Sequence, residues 1–179
     1  MKRKYYLCRV LKDYSDFLYD FDDRVRKKET RPYLMLAFKL NKYDYAIPLT
    51  SEMLRKNGKR RNVQTTVELK DNIYCYGALL INNMIPITED LVLKIDINGQ
   101  PSNSKTVLQS EVQLIRKQSD EISKKTNSVY LKRICGENEF YNSFCCDFKL
   151  LEEKCIEYCK LHNLKLPLDP ETEKLKREV

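Results

Sequence analysis

Tyr33 to Pro48 reads YLMLAFKLNKYDYAIP, two runs of aliphatic and aromatic residues separated by Asn41-Lys42. Aromatic and branched side chains favour extended backbone, and two polar residues match the length of a tight turn between paired strands. The stretch therefore predicts a β-hairpin with strands over Tyr33 to Leu40 and Tyr43 to Pro48. An antiparallel sheet is expected around this hairpin.

The chain before the hairpin predicts one strand and one helix. Lys4 to Val10 is a short run of β-forming residues, and apolar residues then recur at helical spacing from Leu11 to Phe21. This helix is expected to stop near Asp22-Asp23, where a basic loop begins. After the hairpin, four apolar runs predict strands that continue the sheet: Thr65 to Leu69, Ile73 to Tyr76, Ala78 to Ile81 and Leu91 to Ile95.

The apolar spacing becomes helical from Ser104, just after the turn residues Asn98-Gly99-Gln100-Pro101. Ser119-Asp120 predicts a break between two helices, and Cys135-Gly136 predicts the end of the second. A last helix is expected from about Ser143 to His162.

The length and composition indicate one α+β domain over residues 1–179. A chain of 179 residues with 42% hydrophobic residues can bury a substantial core. Strands are expected mostly in residues 1–100 and helices mostly in 101–163, followed by a charged tail at 164–179. The first 20 residues mix charged and aromatic residues, and no run of about 18 apolar residues occurs, so neither a secretory leader nor a membrane span is expected.

Seven cysteines without a disulfide or metal-binding spacing indicate a reducing, cytoplasmic setting. Cys145, Cys146, Cys155 and Cys159 could serve as metal ligands, but a second Cys or His pair is missing. The spacing of Cys155 and Cys159 is also the spacing of a buried helix face. We expect buried thiols, no metal and no cofactor.

The positive charge is concentrated in two short spans. Arg24 to Arg31 (RVRKKETR) contains five basic residues and one acidic residue, and Arg55 to Arg61 (RKNGKRR) contains five basic residues and no acidic one. Outside these spans 23 basic residues stand against 25 acidic ones, so the two spans carry the whole net charge of +7. Such runs are often solvated loops, but two runs flanking one candidate site favour a polyanionic partner.

Several enzyme classes are excluded by missing residues. Nucleotide-binding glycine motifs are absent, and His162 is the only histidine, so a serine triad, a two-histidine pair and a histidine-rich metal site cannot be built. Hydroxyl, phenol, lysine and arginine side chains remain for catalysis. They suit transesterification of RNA, in which the substrate supplies its own 2′-OH nucleophile and the protein orients it and neutralises charge.

Five motifs resemble those of the ToxN/AbiQ endoribonucleases of type III toxin-antitoxin systems. They are Phe21-Asp22-Asp23-Arg24-Val25, Arg31-Pro32-Tyr33, Pro48-Leu49-Thr50-Ser51, GALLINNMIPI from Gly77 to Ile87, and Cys146-Asp147-Phe148-Lys149 continuing through Leu151-Glu152-Glu153-Lys154. They occur in the family's order and at similar spacing, and they span nearly the whole chain.

The resemblance implies a strongly twisted antiparallel sheet, forming a partly open barrel, wrapped by helices. It implies a sequence-selective endoribonuclease that leaves a 2′,3′-cyclic phosphate and a 5′-OH on cellular or phage mRNA. It also implies that the enzyme processes its own repeat antitoxin RNA and is inhibited by the resulting pseudoknot in a closed toxin-RNA assembly. The biological setting would be phage defence by abortive infection, or plasmid maintenance.

The same resemblance implies four catalytic residues. Thr50 and Ser51 match the hydroxyl pair of the family's active site, Arg31 falls where members have Lys or Arg, and Tyr14 matches a tyrosine of the first helix that could hold or stack on substrate. Many members have Pro-Lys after the hydroxyl pair. This chain has Glu52-Met53 instead, so the lysine role is vacant or passes to Arg55 or Lys56.

Other interpretations remain open from the sequence. Thr50-Ser51 is also a common strand-end turn or helix cap. The basic spans and the 12 tyrosines fit a non-catalytic RNA-binding module as well, and a purely structural domain is the third alternative. The residues expected to contact RNA are Arg24, Arg26, Lys27, Lys28, Tyr33, Arg55, Lys56, Lys59, Arg60 and Arg61.

Overall fold

A computed structural model describes residues 6–26, 35–40, 43–54 and 58–167, with backbone alone at 35–39. The elements are β1 (Leu7–Val10), α1 (Lys12–Tyr19), β2 (Met35–Leu40), β3 (Tyr43–Thr50), β4 (Thr66–Lys70), β5 (Cys75–Leu80), β6 (Ile85–Ile87), β7 (Val92–Lys94), α2 (Ser102–Lys117), α3 (Ser119–Cys135), α4 (Glu139–Phe144) and α5 (Phe148–Leu161). Strands dominate early and helices late, which confirms the predicted α+β class.

β3 is the central strand of an antiparallel sheet. It pairs with β2 along most of its length, with β6 near its start and with β5 at its last two residues. The strand order is β4-β5-β3-β2-β1-β7, with β6 beside β3. Among the described strands, β4 and β7 do not pair with each other, so the sheet is not a closed barrel. The strong twist and partly open barrel remain predictions.

The predicted hairpin is confirmed by its register. Met35 pairs with Pro48, and Leu40 pairs with Tyr43, so two residues connect the strands as the sequence indicated. This register also places the start of β2 beside the end of β3, which is the end that leads to Thr50 and Ser51.

Two differences from the expected strands have local causes. The predicted strands Ile73 to Tyr76 and Ala78 to Ile81 form one strand, β5, because Gly77 lies inside the ladder. A Cβ at Gly77 would lie only 2.6 Å from the Thr50 carbonyl oxygen, so glycine permits close packing here. β6 was not predicted as a strand, since Pro86 in its middle argues against a strand interior.

The helices end where capping residues occur. Gly136, with φ +75°, ends α3 as the sequence predicted. The single helix expected from Ser143 to His162 is wrong: α4 and α5 are separated by an extended segment. The N–H of Cys146 in that segment donates to Asn82 O at 2.8 Å, and Asp147 caps α5 by accepting from Leu150 N at 3.3 Å.

One core cluster draws on residues from Leu7 to Cys159. The aromatic rings of Tyr45, Tyr130 and Phe148 contact one another between β3, α3 and α5. The four C-terminal thiols Cys145, Cys146, Cys155 and Cys159 are buried, as expected, and Cys8 is buried as well. In the described part of the chain, no helix has the length and apolar character needed to cross a membrane.

Candidate active site

Thr50 and Ser51 lie where β3 leaves the sheet. Thr50 is the last residue of β3, is half-buried and pairs with Ala78 of β5, whereas Ser51 is exposed. The Thr50 hydroxyl accepts a hydrogen bond from the Glu52 N–H at 3.1 Å. Thr50 thus forms the strand-end turn that the sequence left open, and this turn leaves Ser51 at the surface.

The second basic span folds back against this turn. The Arg61 guanidinium donates through Nε to the Glu52 carbonyl at 2.7 Å, and its side chain is only 9% exposed. Leu54 and Arg60 form an isolated antiparallel bridge. The Arg61 guanidinium therefore braces the loop beside Ser51, and its contact with RNA remains a prediction. Lys59 and Arg60 remain exposed.

The first basic span leads into β2 at the same end of the hairpin. Arg26 is half-buried and is the last described residue before β2. Since Met35 pairs with Pro48, the chain enters β2 beside the point where β3 leaves for Ser51. Six of the predicted site residues lie outside the described part of the chain: Lys27, Lys28, Arg31, Tyr33, Arg55 and Lys56.

Tyr14 does not reach the surface near Ser51. Its side chain is fully buried, and its hydroxyl donates to the Pro86 carbonyl of β6 at 2.7 Å. Its ring contacts Tyr158 of α5 edge-on, with centroids 5.0 Å apart. Burial raises the pKa of the phenol well above its usual value. The predicted substrate contact is therefore corrected: Tyr14 joins α1, β6 and α5 in the core.

Arg24 is held by protein groups, and its contact with RNA remains a prediction. Its Nε and Nη2 donate to the two carboxylate oxygens of Asp22 at 2.8 and 3.1 Å, and Nη1 donates to Asn142 O at 2.9 Å. Burial favours a raised pKa for Asp22, but the hydrogen bonds from Arg24 and Asp147 outweigh burial and lower that pKa. Asp22 therefore orients the Arg24 guanidinium.

Three of the quoted motifs converge at this ion pair. Asp22 also accepts from the Asp147 N–H at 2.6 Å, and Asn83 donates to the Arg24 carbonyl at 2.8 Å. On the other side, Arg133 of α3 forms an ion pair with Asp147 at 2.8 Å. These motif residues therefore hold the start of α5 against the loop after α1 and the turn after β5. Their role is architectural.

A basic groove that the sequence did not reveal adjoins the second basic span. Its volume is about 830 Å³, and α3 contributes three lysines to it, Lys124, Lys125 and Lys132. Lys125 donates to the carbonyls of Val63 and Thr66, both at 3.2 Å, which fixes the wall nearest that span. The sequence indicates this groove only through the seven-residue spacing of Lys125 and Lys132, which places both side chains on one face of a helix.

A buried carboxyl, also missed from the sequence, lies behind Thr50. Glu111 of α2 is 4% exposed, and its Oε2 is buried without a hydrogen-bond partner. A Cβ built on Gly77 would lie 3.5 Å from Glu111 Oε1 and 2.6 Å from Thr50 O. Burial raises the pKa of this carboxyl to about 7.

Residues 6–156 match the family model described as toxin ToxN of type III toxin-antitoxin systems. The chain belongs to this family. The ToxN match includes α1, the hairpin, the Thr50-Ser51 turn and all but the last residues of α5.

Individual ToxN-family proteins agree with this match. The endoribonuclease ToxN of Bacillus thuringiensis subsp. kurstaki is 34% identical over 160 residues, which cover 82% of this chain and 80% of that protein. One solved structure, described as showing selective toxin inhibition by a non-coding RNA pseudoknot, is 30% identical with a TM-score of 0.77, covering 87% and 98% of the two chains. Another, in which a processed non-coding RNA regulates a bacterial antiviral system, is 26% identical with a TM-score of 0.73, covering 84% and 96%.

Proposed function

We propose that this ToxN-family toxin is an endoribonuclease whose active site is formed by Ser51, Thr50 and Arg31. The observation that supports this proposal is the position of the exposed Ser51. It follows Thr50 at the end of the hairpin that both basic spans adjoin. The proposal does not depend on any side chain that lies in the core.

Each residue has a role that its chemistry supports. Ser51 contacts the scissile phosphate, the Thr50 turn presents Ser51, and Arg31 neutralises charge on the phosphorane. The 2′-OH attacks the adjacent phosphorus and the bond to the 5′-oxygen breaks. The products are a 2′,3′-cyclic phosphate and a 5′-OH, and the protein supplies positioning and charge without a metal. Lys59, Arg60 and Arg26 follow the RNA backbone on either side of the site.

The RNA partner follows from the family. By analogy with the pseudoknot-inhibited relative, this toxin processes its own repeat antitoxin RNA and is inhibited by the pseudoknot product in a closed toxin-RNA assembly. Released toxin cuts cellular or phage mRNA in the cytoplasm, in phage defence or plasmid maintenance. Residues 1–179 act as one domain. An inhibitor bound across both basic spans would cover Ser51 and so block cleavage.

The test compares the wild-type protein with Ser51→Ala and with Ser104→Ala, an exposed serine on α2 that serves as the matched control. A long transcript is incubated with each protein, with and without chelator, and the cleaved ends are mapped. We expect wild type and Ser104→Ala to leave cyclic phosphate ends in both conditions, and Ser51→Ala to bind RNA without cutting it. RNA binding by all three proteins without cleavage would favour the non-catalytic RNA-binding module. Cleavage that requires added Mg²⁺ and leaves 5′-phosphates would overturn the mechanism.

A further inference from the structure

Glu111 is the buried titratable group that the proposed chemistry leaves without a role. It lies on the face of α2 that packs against β4 and β5, with Leu108 and Ile115 buried one turn away on either side. Its Oε2 has no hydrogen-bond partner. A charged carboxylate in such a place is strongly disfavoured, whereas an uncharged acid is tolerated.

The surroundings of Glu111 contain no compensating charge. The titratable or charged side chains on the strands packed against α2 are Glu68 and Lys70 of β4 and Cys75 and Tyr76 of β5. Those on α3 are Asp120, Glu121, Lys124, Lys125, Tyr130, Lys132, Arg133 and Cys135. Glu68 pairs with Lys70 at 2.9 Å, Glu121 with Lys125 at 3.6 Å, and Tyr76 donates to Asp71 at 3.1 Å. None of them contributes to the raised pKa of Glu111, which burial alone causes.

Gly77 brings this carboxyl close to the active-site turn. The position that a Gly77 Cβ would occupy is within 3.5 Å of Glu111 Oε1 and within 2.6 Å of the Thr50 carbonyl oxygen. Glu111 Oε1 and the Thr50 carbonyl oxygen therefore border the same position beside Gly77. Thr50 in turn fixes the Glu52 N–H through its hydroxyl, with Ser51 between them.

We propose that Glu111 is a positioning residue that supports the Thr50-Ser51 turn as an uncharged acid and disorders it when the proton is lost. This inference rests on the proposed function, since it assigns a regulator to the same site. A carboxylate that borders the same position as the Thr50 carbonyl oxygen brings two electron-rich groups near each other where water is scarce. Displacement of Thr50 relieves their repulsion and moves the adjoining Ser51. The negative charge also opposes a phosphate bound at the turn.

The first measurement follows the turn directly and does not depend on catalysis. In ¹⁵N-labelled Ser51→Ala protein, the amide resonances of Thr50 and Glu52 are followed from pH 5.5 to 9. We expect both to titrate with a midpoint near the pKa of about 7 of Glu111, and the titration to disappear when Glu111→Gln is added. His162→Gln, which removes the only imidazole of the chain, should leave it unchanged. Amides of Thr50 and Glu52 that do not respond to Glu111→Gln would overturn the proposal.

The second measurement follows single-turnover cleavage of a long transcript by wild type, Glu111→Gln and the control Glu121→Gln. We expect the rate of wild type relative to Glu111→Gln to fall by about tenfold per pH unit above the Glu111 pKa, while Glu121→Gln follows wild type. Parallel profiles for wild type and Glu111→Gln would also overturn the proposal. If wild type cleaves no RNA but the amide titration depends on Glu111, the coupling stands and the proposed function fails.

Discussion

The hydroxyl of Tyr45 donates a 2.6 Å hydrogen bond to Glu152 Oε1 in the centre of the protein, 107 residues further along the chain. Tyr130 donates to the same oxygen at 2.8 Å. Burial and the adjacent carboxylate raise the pKa of Tyr45 well above its usual value, so the phenol remains a donor. The three side chains join β3, α3 and α5, and they also explain why the quoted motif that ends in Lys154 contains a buried acid, Glu152.

Removal of this shared acceptor should be costly. Glu152→Ala removes the acceptor that two buried hydroxyls share and opens a cavity, so we expect the free energy of unfolding to fall by about 3 kcal/mol. Tyr45→Phe removes one donor and should cost about 1 kcal/mol. The exposed neighbour provides the control, and Glu153→Ala should change the free energy by less than about 0.5 kcal/mol. Urea unfolding measures all three, and equal stability of Glu152→Ala and Glu153→Ala would contradict the expected role.

Tyr14→Phe distinguishes a core tyrosine from a substrate contact. The variant loses the hydrogen bond to the Pro86 carbonyl but keeps the ring contact with Tyr158, so we expect a loss of stability of about 1 kcal/mol. Overproduction of the variant should still arrest bacterial growth, because Ser51 is untouched. Growth at wild-type expression levels by a folded Tyr14→Phe protein would mean that the phenol reaches RNA after all.

The exposed residues of the second basic span should contribute to the salt dependence of RNA binding. Lys59→Ala/Arg60→Ala removes two charges while leaving the Arg61 brace on Glu52 in place. We expect the slope of log affinity against log salt to become shallower by about 1.4 units, since each of two phosphate contacts on single-stranded RNA contributes about 0.7. Lys117→Ala/Lys160→Ala removes the same charge from α2 and α5 and should leave the slope unchanged. An equal effect of the two pairs would show that only net charge matters.

The seven thiols should divide into two reactive and five protected ones. Cys75 and Cys135 are exposed, whereas burial raises the pKa of Cys155 and of Cys8 to about 12. Because thiolates are the reactive species, a thiol reagent at neutral pH should modify two groups per native chain rapidly and all seven after unfolding. Mass spectrometry of the labelled peptides identifies them. Rapid labelling of Cys155 in the native protein would indicate that α5 is not packed as described.

The sequence predicts what local spacing determines. The hairpin from Met35 to Thr50 and the helix end at Gly136 depend on residues close together in the chain, and both are confirmed. β6 was not predicted, because proline is unfavourable inside a strand and β6 forms through its pairing with the distant strand β3.

The site shows the same division between local and long-range information. The hydroxyl pair is recognisable as a motif, and its strand-end position follows from the hairpin. Glu111, however, is one of many acids in a helix, and only packing against Gly77 places it behind Thr50. The architectural role of Arg24 was hidden for a related reason, since its partner Asn142 is 118 residues distant.

The contact between Asp22 and Asp147 spans 125 residues and bears on the synthesis of a toxic enzyme. A ribosome makes the basic spans and the Thr50-Ser51 turn well before α5, which packs against α1 and β6. Contacts between distant residues form late, after the intervening chain is available. The nascent chain therefore carries its hydroxyl pair on an incomplete scaffold until α5 has been made. The core closes only when α5 has emerged, so the candidate active-site strand β3 is not fully packed until α5 has been translated.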